Sequence, residues 1–193
     1  MKVRLRRECI WRMLAVLMAL SLVAIAFAGC ESKQPPEEGK MALNVSSSAF
    51  EEGSRIPIKY SCQGEDVSPA LRWDKPPRGT QSFALIMDDP DAPGGIFTHW
   101  VLFNIPSATR QLPEAVSTTT QLSDGSLQGK NDFGKIGYGG PCPPPGHAHR
   151  YQFTIYGLDR MLDLKTGAPR KQVLEAMMGH ILGQGRLTGS YQR

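Results

Sequence analysis

Two catalytic signatures are missing from this chain. No G-x-S-x-G segment presents a serine on a strained turn between strand and helix. No H-E-x-x-H segment sets two imidazoles and a carboxylate on one helix face. Histidine and cysteine are both scarce, with four of each in 193 residues. There is no internal repeat and no second linker, which argues against a solenoid or a multidomain array. An excess of positive charge is also missing once the first 29 residues are set aside. They carry five of the 22 basic side chains and one of the 18 acidic ones, leaving 17 of each. A neutral remainder gives no support for nucleic-acid binding through net charge.

What is present begins with a leader. Residues 1–12 hold Lys2, Arg4, Arg6, Arg7 and Arg12 against Glu8, and residues 13–28 are apolar except for Ser21. A basic start, a short apolar run and small residues after it are the marks of a secretory signal peptide. The alternative is a retained membrane anchor, although the run falls short of the roughly 20 residues that span hydrocarbon comfortably. Phe27-Ala28-Gly29-Cys30 resembles a bacterial lipoprotein signal, with Phe where Leu is usual. That resemblance implies lipidation of Cys30, export to the bacterial cell envelope and a lipid anchor in the membrane. Glu31 after the cysteine points to the outer membrane if the cell is Gram-negative. Residues 30–42 are polar, with Pro and Glu, and read as a flexible tether. Residues 43–193 have the size of one domain. Inside it Cys62 and Cys142 are a candidate disulfide in an oxidising compartment, or two buried free thiols.

The domain reads as mainly β. Residues 43–50 predict a first strand. In 56–60 the period of two puts Ile56, Ile58 and Tyr60 on one face, with Pro57 suiting an edge. Residues 71–73, 82–87, 99–105 and 151–158 predict further strands, and 186–191 a last one. One helix is predicted from Pro169, with Val173, Leu174, Met177, Met178, Ile181 and Leu182 on its apolar stripe and Gly183 as its stop. Many short strands, Gly/Pro turns and one late helix predict a mainly β, β-sandwich-like domain with a helix in its C-terminal region.

Two segments carry chemistry. Asp88-Asp89-Pro90-Asp91-Ala92-Pro93 follows an apolar strand, and its prolines restrain the mutually repelling carboxylates. Gly139-Gly140-Pro141-Cys142-Pro143-Pro144-Pro145-Gly146-His147 leads to His149, Arg150 and Tyr151. Three of the four histidines, His99, His147 and His149, fall at strand entrances near these segments. Imidazole and carboxylate exchange hydrogen bonds readily, so one shared site is expected. Glycine amides with histidine make a workable cradle for an anion, with Tyr138 and Tyr151 adding a wall and a hydroxyl. The bland alternatives are an acidic turn and a stiff connector.

The run DPDAP, then THWVLFNIP at 98–106, GKNDFGKIGYGGPCPPPGHAHRYQFTIYGLD at 129–159 and GHIL at 179–182 resembles the phosphatidylethanolamine-binding protein family, in its bacterial Raf-kinase-inhibitor-like branch. The resemblance spans residues 43–193. It implies a mostly antiparallel β-sandwich with a pocket for phosphate-type or zwitterionic head groups. Carried over by position, Asp89, Asp91, His99, His149 and Tyr151 line that pocket, Gly140 and Pro141 form its rim, and Phe97 stands at its mouth. This chain departs in having His147, and in lacking the long insertion that eukaryotic members carry between DPDAP and the histidine strand.

Three functions follow as expectations. The first is a binding module for a small anionic or phosphorylated ligand. The second is a regulator or inhibitor acting on a protein partner that the sequence does not name. The alternative to both is an envelope enzyme or metal-dependent hydrolase using the Asp/His cluster. No cofactor is expected, no metal is assigned to particular residues, and no nucleic-acid partner is expected.

Overall fold

The computed structural model describes residues 41–193. The leader 1–29, the lipid candidate Cys30 and all of the tether before Met41 lie outside the described residues. The described chain forms β1 (Met41–Ala42), β2 (Val45–Ser46), β3 (Leu71–Trp73), β4 (Ser82–Asp89), β5 (Phe97–Pro106), β6 (Gln111–Leu112), β7 (Leu127–Gln128), β8 (His149–Leu158), α1 (Arg170–Met177) and β9 (Ile181–Tyr191). A six-stranded sheet runs β1-β9-β8-β4-β5-β7, and a three-stranded sheet runs β2-β3-β6. All pairings between these strands are antiparallel except β1 with β9.

The large sheet is buried on both faces, which is why its central strands read as near-continuous apolar runs. Phe83, Leu85 and Met87 of β4 face the small sheet and pack with Trp73, Trp100, Leu102, Phe153 and Ile155. Ala84 and Ile86 point the other way, to Val101, Phe103 and the α1 residues Val173 and Met177. Strand β5 keeps this division only by breaking its own alternation twice. Its register against β4 slips between Phe83 and Leu85 and again between Met87 and Asp88. The first slip lies by Asn104, which has φ 57° and whose side-chain amide donates to the Leu162 carbonyl while its oxygen accepts the Leu162 N–H. The second lies at His99 and Trp100. These neighbours both face the sandwich interior, as a β-bulge allows.

Four expectations need correction. Residues 43–50 do not make one strand. The chain leaves the large sheet after β1 and joins the small sheet as β2, so Met41 and Ala42 belong to the fold and not to the tether. Residues 58–60 form a 3-10 turn after Pro57 in place of a strand. Pro57 has no N–H for a ladder, and Ile58 turns outward (60% exposed) while Ile56 and Tyr60 are buried. Helix α1 ends at Met177, so Met178 is 68% exposed, and Gly179 (φ 78°) turns the chain. Ile181, Leu182 and Gly183 therefore open β9 and do not extend the helix. Its early part was hidden by glycines. A Cβ on Gly185 would meet the Leu43 carbonyl oxygen at 1.9 Å, so a bare backbone is required there.

Candidate functional site

Three adjacent strands, β8, β4 and β5, bring their ends together at one end of the large sheet. Asp89 closes β4, Phe97 and His99 open β5, and His149 and Tyr151 open β8. Asp89, His99, His149 and Tyr151 are each no more than 3% exposed, and Phe97 is half-buried. The bulge at His99 turns its ring to Tyr151, with centroids 5.1 Å apart and edge to face.

The carboxylates are committed before any ligand arrives. Asp89 Oδ2 accepts from His149 Nδ1 at 2.7 Å, and Asp89 Oδ1 accepts the Asp91 N–H at 2.8 Å. Asp91 turns outward to Arg150. One oxygen accepts from Arg150 Nε and backbone N–H, both at 2.9 Å, and the other from Nη2 at 2.7 Å. This fork lowers the Asp91 pKa to about 2. Mutual repulsion in DPDAP is thus offset by two cationic or imidazole partners, and Asp91 presents its charge to Arg150 and not to the inner site. Asp88 lies on the opposite face of the sheet, where Oδ2 accepts from Arg170 Nε at 2.9 Å. Burial raises its pKa against the pull of that guanidinium.

The two histidines are set in one tautomer each. A carbonyl and a carboxylate only accept, so Nδ1 carries the hydrogen in both rings. His99 Nδ1 donates to the Gly139 carbonyl at 2.7 Å. Both Nε2 atoms are without a protein partner among the described residues. Burial depresses the His99 pKa and keeps the ring neutral, so its Nε2 is an acceptor. The Tyr151 hydroxyl is buried and makes no hydrogen bond of ordinary geometry among the described residues, although Asp89 and the Cys142 backbone lie close to it. Burial, helped by Asp89, pushes its pKa far above the ordinary phenol value, so it stays a donor.

The depressed His99 pKa fixes a sign. An unfolded chain binds a proton at this residue near pH 6.5 and the folded chain does not, so stability falls as pH drops below about 6.5. Urea unfolding at pH 7.5 and 5.5 should show this loss, and His99→Gln should lessen it. An equal pH dependence in both proteins would show that His99 is not held neutral.

Gly140 and Pro141, expected at a pocket rim, offer no free amide donors. The Gly140 N–H donates to Asp66 Oδ1 at 2.7 Å, the Gly139 N–H to the His99 carbonyl at 3.0 Å, and proline has none. The rim is pinned to residues 60–66 by these bonds, by Tyr138 Oη donating to the Tyr60 carbonyl, and by the Cys62 N–H donating to the Pro141 carbonyl. A disulfide between Cys62 and Cys142 joins the same two segments. Tyr138 is therefore a strut of the rim and not a site hydroxyl. His147 is exposed, with its ring 5.0 Å from His149. His180 pairs with Asp159 elsewhere. No group of three or more His, Cys, Asp or Glu side chains that could hold a metal occurs among the described residues.

Asp66 and Phe133 belong to this region and carried no obvious signal in sequence. Asp66 sits in a polar loop next to Glu65. Phe133 sits in an Asn-Asp-Phe-Gly turn, where an aromatic residue with nothing to bury against is the one available clue.

Comparison with known proteins identifies the family and the fold. Residues 46–192 match the family model described as phosphatidylethanolamine-binding protein. A UPF0098 protein of Methanothermobacter thermautotrophicus is 52% identical over 151 residues, covering 78% of this chain and 99% of its own. Another, from Aquifex aeolicus, is 50% identical over 157 residues, with 80% and 91% covered. Among solved structures, the phosphatidylethanolamine-binding protein homologue CT736 of Chlamydia trachomatis superposes with a TM-score of 0.72 at 40% identity, over 79% of this chain and 98% of that one. YbcL of E. coli, described as a member of the mammalian PEBP family, gives 0.74 at 32%, over 79% and 99%. With a matching family model over three quarters of its length and the same mainly β fold in these relatives, the chain belongs to the phosphatidylethanolamine-binding protein family.

Proposed function

We propose that this chain binds a small phosphate-type or zwitterionic ligand at the junction of Asp89, His99, His149 and Tyr151. One observation carries the reading: the buried Tyr151 hydroxyl makes no hydrogen bond of ordinary geometry within the described protein, and it stands near an imidazole that Asp89 has already oriented. A buried polar atom left unpaired in a native fold is commonly satisfied by a ligand or an ordered water. Tyr151 supplies a donor. His149 turns its Nε2 to the ligand, its ring held through Nδ1 by Asp89. Neutral His99 supplies an acceptor. This set fits a ligand with both anionic oxygen and a hydrogen to give, such as a phosphomonoester monoanion or a phosphate next to an ammonium.

Binding is favoured over catalysis by what surrounds the histidines. No Ser, Thr or Cys side chain is hydrogen-bonded to His99 or His149 among the described residues, and Cys142 is bonded to Cys62. The sequence of residues 1–30 supports a setting for this function: an exported, lipid-anchored protein of the cell envelope, free to regulate a partner there.

Titration calorimetry with methyl phosphate tests the site. Tyr151→Phe removes one donor and should weaken binding about fivefold to tenfold, the worth of a single hydrogen bond. His149→Ala should weaken it more than tenfold, because the bond to the phosphate anion is lost and Asp89 keeps only the Asp91 N–H. Wild-type affinity in both variants would refute the assignment.

A further inference from the structure

The polar site opens onto a set of aromatic rings. Outward from Tyr151 comes His99, then Phe133 and Phe97. His99 lies 5.2 Å from both Phe133 and Phe97, and those two phenyl rings are 4.7 Å apart and edge to face. Exposure rises along this series, from 0% at Tyr151 and 2% at His99 to 41% at Phe133. Ile96, at 55%, stands beside Phe97 in sequence.

Phe133 is exposed yet firmly placed. Its neighbour Asp132 exchanges two hydrogen bonds with Thr98, accepting the Thr98 N–H at Oδ2 (2.7 Å) and donating its own N–H to the Thr98 carbonyl (2.9 Å). Asn131 closes the turn. Its N–H donates to the Lys135 carbonyl, its oxygen accepts the Lys135 N–H, and its side-chain amide donates to the Gly137 carbonyl. The ring also lies against Gly139, where a Cβ would come within 2.7 Å of it. A large apolar side chain left partly in water gains nothing from being fixed so closely by polar bonds, unless the fixed ring has a use.

We infer that Phe133 and Phe97 form a subsite for an aromatic or flat apolar group attached to the anion held at His149 and Tyr151. The inference rests on the proposed binding function and adds a ligand class to it: aryl-bearing phosphate-type compounds over bare or short-chain ones. Offset and edge-to-face ring contacts contribute beyond simple burial, which corresponds to roughly a threefold to tenfold preference. The placement of Phe133 before ligand arrives means that little of this is lost to ordering.

Calorimetry with phenyl phosphate and methyl phosphate separates the two ideas, since the probes share one head group. Wild type should bind phenyl phosphate about threefold to tenfold more tightly. Phe133→Ala should bring the two affinities within twofold of each other, the ratio being the readout. Phe133→Trp, which keeps a ring at the turn, should retain the preference. Binding of methyl phosphate with no phenyl preference in wild type, or an undiminished preference in Phe133→Ala, overturns this inference and leaves the site standing. Failure of wild type to bind either probe overturns both.

Discussion

Serine at both Cys62 and Cys142 should lower the stability of the folded domain by about 4 kcal/mol. The two residues are 80 apart in sequence, and closing a loop of that size removes entropy from the unfolded chain that the folded chain has already lost. For a domain of this size the midpoint of thermal unfolding should fall by roughly 8–16 °C. The fold itself should survive, because Gly140 to Asp66, Tyr138 to Tyr60 and Cys62 to Pro141 still pin the same segments by hydrogen bonds. Calorimetric scanning of the double variant against wild type, both without reductant, decides the matter. A midpoint within about 2 °C of wild type would mean that the bridge contributes almost nothing to the folded state.

The second large effect is expected from one methyl group. A Cβ on Gly140 would lie 2.3 Å from the Tyr60 carbonyl oxygen, 2.6 Å from Asp66 Oδ1 and 2.9 Å from the Ser61 Cα. Two of these are backbone atoms in a segment tied to the rim by the disulfide and by hydrogen bonds, so they cannot step aside cheaply. Overpacking of this kind costs about 1–3 kcal/mol. Losing the Gly140 to Asp66 bond costs about 1–3 kcal/mol more. Gly140→Ala should therefore destabilise by about 3 kcal/mol. It should also weaken methyl phosphate binding, because Gly139, which fixes the His99 tautomer, moves with its neighbour. Gly94 provides the control. A Cβ there would meet nothing within 4 Å, and Gly94→Ala should stay within about 0.5 kcal/mol of wild type. Equal urea midpoints for the two variants would contradict the crowding at the rim.

The sequence conveyed the central strands and the grouping of the site well, for a physical reason. Burial on both faces makes the middles of β4 and β5 near-continuous apolar runs, and the site residues stand at their ends and at the start of β8. Asp89, His99, His149 and Tyr151 could be grouped because they are chemically unusual near strand entrances. What was not legible depends on partners far away in sequence. Asp91 reads like Asp89, yet it faces Arg150. Gly140 reads as an exposed amide, yet Asp66, 74 residues earlier, takes its hydrogen. Phe133 reads as a surface residue of a turn. Boundaries failed where periodicity persisted across a change of element, as at Met178 and Ile181, and where Pro57 interrupted a plausible alternation between Ile56 and Tyr60.

The two register slips in β5 have a consequence for how this domain can vary. One falls between the site residue His99 and the core residue Trp100, and the other lies past Leu102 near Asn104. The strand is thereby divided into segments with separate phases, as a gear train is divided by idlers. A change that rotates the outer segment need not disturb the inner one, so the residues presented at the mouth can be exchanged without refitting Trp100 and Leu102. The candidate site and the core packing thus draw on separately phased parts of a single ten-residue strand.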